Sequence, residues 1–152
     1  MKNQEWYDVD KTTWPNGPWQ DEPDKIQWTD EATKLPCLIV RGGSGALCGY
    51  VGVDETHPYF QVDYDDADVD AHGGLTYAGL CQENGKVCHI VEDGENDKVW
   101  WLGFDCAHWC DYSPQVAQYI TWDRDITQYK DVQYVTNEVT NLAKQLSEVG
   151  ND

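Results

Sequence analysis

Two segments of the chain couple histidine to glycine and carboxylate in ways that a plain apolar core does not need. They are His72-Gly73-Gly74-Leu75-Thr76-Tyr77-Ala78-Gly79 and Gly103-Phe104-Asp105-Cys106-Ala107-His108. Imidazoles and carboxylates set among apolar residues are costly unless they find partners. If the chain turns helical after Phe104, then Asp105, His108 and Asp111 share one side at a spacing of three. A carboxylate beside an imidazole orients it and raises its basicity, which is what general-base chemistry requires. His72 becomes a second proton carrier if the fold brings it close. His72, Asp105, His108 and Asp111 are therefore the catalytic candidates. Gly73 and Gly74 allow close backbone approach or positive φ, and successive amides there can hold an anion. Thr76 and Tyr77 add a hydroxyl and a ring for ligand contact. No nucleophile elbow or phosphate loop accompanies the group. The residues leave enzyme and binding protein both open, and an Asp–His contact is also an ordinary structural hydrogen bond.

A second candidate is the run Asp63-Tyr64-Asp65-Asp66-Ala67-Asp68-Val69-Asp70, with five Asp in eight residues. In an extended chain Asp66, Asp68, Asp70 and His72 project to one side. Hard cations prefer such oxygen ligands, so a metal-dependent hydrolase is one possibility. The calcium-loop pattern fails, because counting from Asp66 puts Ala71 at the sixth position and Tyr77 at the twelfth, where Gly and Glu belong. The run reads first as a solvated acidic loop. Cys88-His89 and Cys106-x-His108-x-Cys110 hold zinc-ligand types, but the usual pair of knuckles is missing and Cys81-x6-Cys88 is too wide to supply it. The residues name no cofactor.

The elements that must position these groups belong to one domain's worth of chain. There are 152 residues, 40% of them hydrophobic, with eight Trp and nine Tyr, enough for a core. Residues 1–25, rich in Trp and Pro, read as an N-terminal arm, and residues 26–152 as a single α+β domain. Residues 36–41 and 46–53 flank Gly42-Gly43-Ser44-Gly45 as a β-hairpin, and the glycines of its second strand mark a bulge or close packing. Residues 54–70 form an acidic loop. Strands are expected at 72–78, 87–91 and 98–104, with turns at Gln82–Gly85 and 92–97 joining antiparallel neighbours. Val132, Val135, Val139, Leu142 and Leu146 recur at steps of three and four within 130–148, an amphipathic helix with Asp131 as N-cap, Lys144 suited to the helix dipole and Gly150 as terminator. Ser113 and Pro114 open a short helix over 113–120. The fold expected is an antiparallel β-sheet with the C-terminal helix packed on one face.

Twenty-eight acidic against ten basic residues give a formal charge of −18. Such a surface repels nucleic acid and anionic membranes, and it suits a groove built for DNA or RNA on another protein. No secretory h-region and no spanning apolar run is present, so a cytosolic location is expected. The six cysteines (Cys37, Cys48, Cys81, Cys88, Cys106, Cys110) are then expected mostly as reduced thiols.

The segments Leu47–Val53, His72–Gly79 and Val99–His108, together with Tyr134-Val135 in the helix, resemble an uncharacterised family of small acidic proteins of tailed bacteriophages and prophages. The likeness spans roughly residues 37–146; the Trp-rich arm lies outside it, and Cys110 departs from its pattern. The resemblance implies no particular reaction. It implies an accessory protein that antagonises host defence, in the host cytosol, either by capturing or hydrolysing a small nucleotide-like ligand or by mimicking nucleic acid toward a basic host protein.

Overall fold

The apolar runs on either side of Gly42–Gly45 pair as the expected hairpin: β3 (Pro36–Arg41) runs antiparallel to β4 (Leu47–Val53). Gly45, at φ 90°, supplies the left-handed residue that the turn requires. The computed structural model describes residues 1–81, 85–119 and 128–149. Around the hairpin it adds β1 (Gln4–Trp6), β2 (Lys25–Thr29), β5 (Tyr77–Leu80) and β6 (Trp100–Asp105). The six form one antiparallel sheet in the order β1-β2-β3-β4-β6-β5. Helix α1 (Val132–Glu148) packs on β4 and β3. The α+β architecture is the one expected. No described helix is long and apolar enough to cross a membrane.

Period-two alternation divides the sheet into two faces. Cys37, Ile39, Leu47, Val51, Val53, Leu102 and Phe104 face α1, whose Val135, Val139, Leu142, Ala143 and Leu146 are buried against them. Each such aliphatic side chain contributes roughly 1.5–3 kcal/mol through burial. Gly49 belongs to this face because a Cβ there would stand 2.5 Å from Phe104 and 2.6 Å from Val139. It is close packing, one of the two roles expected of the strand glycines. Leu38, Val40, Tyr50, Val99 and Trp101 line the opposite face, with Tyr77, Cys81 and Val87 against them.

Several elements differ from expectation. The strand placed at 72–78 begins only at Tyr77, because Gly73 and Gly74 hold φ of 69° and 84° and turn the chain. Residues 87–91 form no strand. Instead, the Ile90 amide donates to the buried side-chain amide of Gln27 (2.8 Å), and the Gln27 amide donates back to the Ile90 carbonyl (3.2 Å). The last strand starts at Trp100 and inserts between β4 and β5 rather than following β5 along the edge. The short helix of 113–120 reduces to a 3-10 turn at Val116–Gln118; residue 120 lies outside the described residues. So do Gln82–Asn84 and Gly150, so the expected turn and helix stop there have no structural counterpart to compare. Asp131 caps α1 as expected, accepting from the Tyr134 amide at 2.9 Å. Lys144 falls just short of the last turn, which holds no basic residue.

The N-terminal arm is tied to the sheet by more than its tryptophans. Beyond β1, Asp24 is buried and accepts from the amides of Asp8 and Val9 (2.9 Å each), from Lys11 Nζ (2.7 Å) and from Arg41 Nε (2.8 Å). Asp24→Ala therefore leaves two buried cations without their carboxylate. The expected loss is about 3–5 kcal/mol of unfolding free energy, measured by urea denaturation. A loss under about 1 kcal/mol would show that the arm is held by other contacts.

Candidate functional site

The Ala71–Gly74 turn, closed by the Gly74 amide on the Ala71 carbonyl (2.9 Å), delivers His72 toward α1. Gly73 is required there twice over: its φ is positive, and a Cβ would lie 2.1 Å from His108 Nε2. Gly74 also has positive φ, but open space surrounds it. Its amide is already committed to the turn, so this amide offers nothing to an anion. The two glycines bring the imidazole-bearing segments together, with the rings of His72 and His108 5.7 Å apart.

His72 is held at both nitrogens. Nδ1 lies 2.8 Å from the Tyr134 hydroxyl, and Nε2 lies 2.8 and 3.1 Å from the two Asp111 oxygens. A carboxylate at Nε2 places a proton there. Asp111 has no exposed side-chain surface and also takes Lys130 Nζ (3.1 Å) and the His108 amide (3.1 Å). Burial alone would raise its carboxyl, but the hydrogen bonds from His72, Lys130 and the His108 amide outweigh burial and hold it below the ordinary value. Neither nitrogen of His72 is open to a ligand. The side chain is a strut between the 71–74 turn, α1 and the segment after β6.

The chain does not become helical after Phe104. β6 runs on to Asp105 and then turns, with the Asp111 amide bonded to the His108 carbonyl at 2.8 Å. The strand geometry of β6 wins over the helical spacing. His108 Nε2 stands 3.4 Å from Asp105 Oδ1 without forming a hydrogen bond, and it is buried. Asp105 instead accepts from the Ala107 amide and from Thr76 Oγ1, at 3.1 Å each. About a third of each of the His108 and Asp105 side chains is exposed. Tyr77 goes elsewhere, since alternation along β5 sends it to the far face, where its ring meets Tyr50 edge-on at 5.4 Å. Lys130 and Tyr134 were missed by sequence reasoning. Neither carries a local signal, because only the docking of α1 brings them to Asp111 and His72.

The cysteines divide. Cys81 and Cys88 form a disulfide, while Cys37, Cys48, Cys106 and Cys110 are free. Four of the six are thus thiols, as expected of most of them, and the one pair that is bonded closes the chain where it leaves β5. Burial pushes the Cys106 thiol well above its ordinary range and Cys48 up to about 11, away from thiolate chemistry. Among the described residues, metal-ligating atoms gather at Cys81, Cys88 and His89, not at Cys106, His108 and Cys110.

The acidic run obeys the period-two expectation at Asp66, Asp68 and Asp70 but not at His72, which the 71–74 turn sends inward to Asp111 and Tyr134. Ala67, Val69 and Ala71 pack on the core, whereas Asp66, Asp68 and Asp70 are exposed. Asp63 and Asp65 are also exposed. The strip is fixed from within, with the Asp68 amide on the Tyr59 hydroxyl (3.1 Å) and the Asp70 amide on Gln145 Oε1 (2.7 Å). None of the five carboxylates pairs with a lysine or arginine among the described residues.

No family model, curated protein or solved structure matches the chain.

The two histidines should separate on substitution. His72→Ala takes one of three partners from buried Asp111 and removes the imidazole bonded to the Tyr134 hydroxyl, and it is expected to cost about 2–3 kcal/mol in urea denaturation. His108→Ala removes no hydrogen bond of the ring and is expected to cost under about 1 kcal/mol. The reverse order would overturn the assignment of His72 as a strut. Because the Asp111 carboxyl is lowered on folding, its contribution is complete above the unfolded value of about 3.9 and is lost as pH falls through the folded value. Asp111→Asn should therefore flatten the acid limb of the stability–pH curve; an unchanged limb would show that Asp111 does not set it.

Proposed function

We propose that the chain is an accessory protein of phage type that antagonises host defence by presenting fixed carboxylates to a basic, nucleic-acid-binding host protein. The observation that supports this most is the outward set Asp66, Asp68 and Asp70, held by the inward packing of Ala67, Val69 and Ala71. Carboxylates on a loose tail lose conformational freedom when they dock; carboxylates already immobilised by packing lose less. The formal charge of −18 adds long-range steering toward a cationic groove. The same charge disfavours nucleic acid as a direct partner. The phage setting comes from the resemblance described above, and its weight is associational.

One observation favours a second reading, capture or hydrolysis of a small nucleotide-like ligand. The His72 and His108 rings converge, and His108 Nε2 has no hydrogen-bond partner. Two features weigh against it. His72 has no free nitrogen, and Asp105 and Asp111 beside the rings oppose a phosphate.

The test is displacement of a labelled short DNA duplex from purified restriction-type endonucleases. The chain should displace duplex, and displacement should weaken by about tenfold or more between roughly 50 and 200 mM salt. Asp66→Asn, Asp68→Asn and Asp70→Asn together should weaken it a further tenfold or so, about 1.4 kcal/mol. Removing the same number of charges at Glu92, Asp93 and Asp97 should cost less. Equal losses from the two triple variants, or no displacement at all, would overturn the proposal. A nucleotide that raises the melting temperature of the wild type but not of His108→Ala would favour the second reading.

A further inference from the structure

Outside the site described above, one corner of the fold gathers metal-ligand chemistry. It lies on the sheet face opposite α1. Cys81 follows β5 and continues its ladder, its amide bonded to the Val99 carbonyl at 3.1 Å. Cys88 is bonded to it, with the Cα atoms 4.7 Å apart. His89, the next residue, is buried and lies edge-on to Trp101 at 5.1 Å. Both sulfurs and a ring nitrogen of His89 lie within 4.8 Å of one another. Independently, His89 Nδ1 is buried with no hydrogen-bond partner. Buried polar atoms are nearly always paired, and an orphan costs about 1–3 kcal/mol. The disulfide gives that nitrogen no partner.

We propose that reduction of the Cys81–Cys88 disulfide converts this corner into a Zn2+ site built from two thiolates and the His89 imidazole. Thiolate and imidazole are the ligand types zinc prefers, and three protein ligands leave the fourth tetrahedral position to water. With zinc–sulfur and zinc–nitrogen bonds of about 2.3 and 2.0–2.1 Å, tetrahedral ligands stand roughly 3.4–3.8 Å apart. The two sulfurs must therefore part, and the imidazole needs to close by no more than about 1.4 Å. The step balances with a thiol reductant. Two reductant thiols supply two electrons and two protons, the Cys81–Cys88 bond breaks to two thiols, and the reductant becomes a disulfide. Zn2+ then displaces the two thiol protons without changing its own oxidation state. The wide Cys81-x6-Cys88 spacing argued against a knuckle, but the fold sets the two cysteines side by side, with Cα atoms 4.7 Å apart. Two states of one corner follow, a covalent cross-link under oxidising conditions and a metal cross-link under reducing ones.

The experiment uses the full chain, reduced and freed of reductant without air, and titrated with Co2+ as a spectroscopic probe and with Zn2+ against a chromophoric chelator. The expected result is one metal per chain with thiolate-to-cobalt charge-transfer absorption, absent in the oxidised chain. Cys88→Ser should abolish that absorption, His89→Gln should weaken binding at least tenfold, and Cys110→Ser should leave it unchanged. Binding by the oxidised chain, binding that survives Cys88→Ser, or no stoichiometric binding after reduction would each overturn the proposal. If Cys88→Ser does not fold by circular dichroism, His89→Gln decides alone: undiminished affinity would refute the site.

Discussion

One buried charge organises the molecule. Arg41, the last residue of β3, has no exposed side-chain surface, and an isolated guanidinium in that position would cost several kcal/mol. Its donors reach Asp24 (2.8 Å), the Pro23 carbonyl (3.1 Å), the Gly45 carbonyl (2.9 Å) and the Tyr129 hydroxyl (2.9 Å). Those partners come from the arm, from the hairpin turn and from the approach to α1. Satisfying a single cation therefore fixes three segments against the end of one strand. The consequences run further along the chain. Glu22, beside Arg41, accepts from Tyr129 and from the Val132 amide (2.8 Å) at the first residue of α1. The start of the helix is thus positioned from the sheet, and the helix in turn carries Tyr134 to His72.

Asp111 repeats the solution with the signs exchanged. It is a fully buried carboxylate made tolerable by Lys130, His72 and the His108 amide. Asp24 is its counterpart, with Lys11 and Arg41. Burial pushes both carboxyls up, yet both sit below the ordinary range because their hydrogen bonds and cations outweigh it. The chain has only ten lysines and arginines, and three of them, Lys11, Arg41 and Lys130, serve these two buried acids. Most remaining carboxylates are left outside with few cations to neutralise them. Self-repulsion across such a surface destabilises the compact state. The same allocation that secures the interior leaves the Asp63–Asp70 strip anionic.

How much of this could be read beforehand depended on whether a signal was local. The helix was legible because Val135, Val139, Leu142 and Leu146 repeat its period and Asp131 caps it. The β3–β4 hairpin was legible because glycines separate two apolar runs. The outward aspartates were legible from alternation with Ala67 and Val69. Partner choice was not. Asp105 and Asp111 both had the right type to hold an imidazole, and the chain pairs Asp111 with His72, thirty-nine residues away, because β6 stays extended to Asp105. Insertion of β6 between β4 and β5 sets Gly103 under Tyr50, where a Cβ would stand 2.2 Å from the ring; nothing near Gly103 in sequence announces that ring. The Cys81–Cys88 bond was equally hidden, since six cysteines allow fifteen pairings and nothing local singles out this one.

The two faces of the sheet differ in what they can tolerate. On the α1 side, closely packed aliphatic side chains and the Asp111 network tie β3, β4, β6 and the helix into one unit. The far face carries a smaller cluster against which Cys81 and Val87 pack, and this part of the chain is held by the Gln27–Ile90 pair, the Cys81 ladder bond and the disulfide. A cross-link closing so short a loop is worth about 2–3 kcal/mol in chain entropy, a small part of what the α1 face supplies. Breaking it should loosen the connection while leaving the sheet assembled. The α1 face does not depend on that cross-link, and the buried, unpaired nitrogen of His89 lies beside Cys81 and Cys88, on the face that does.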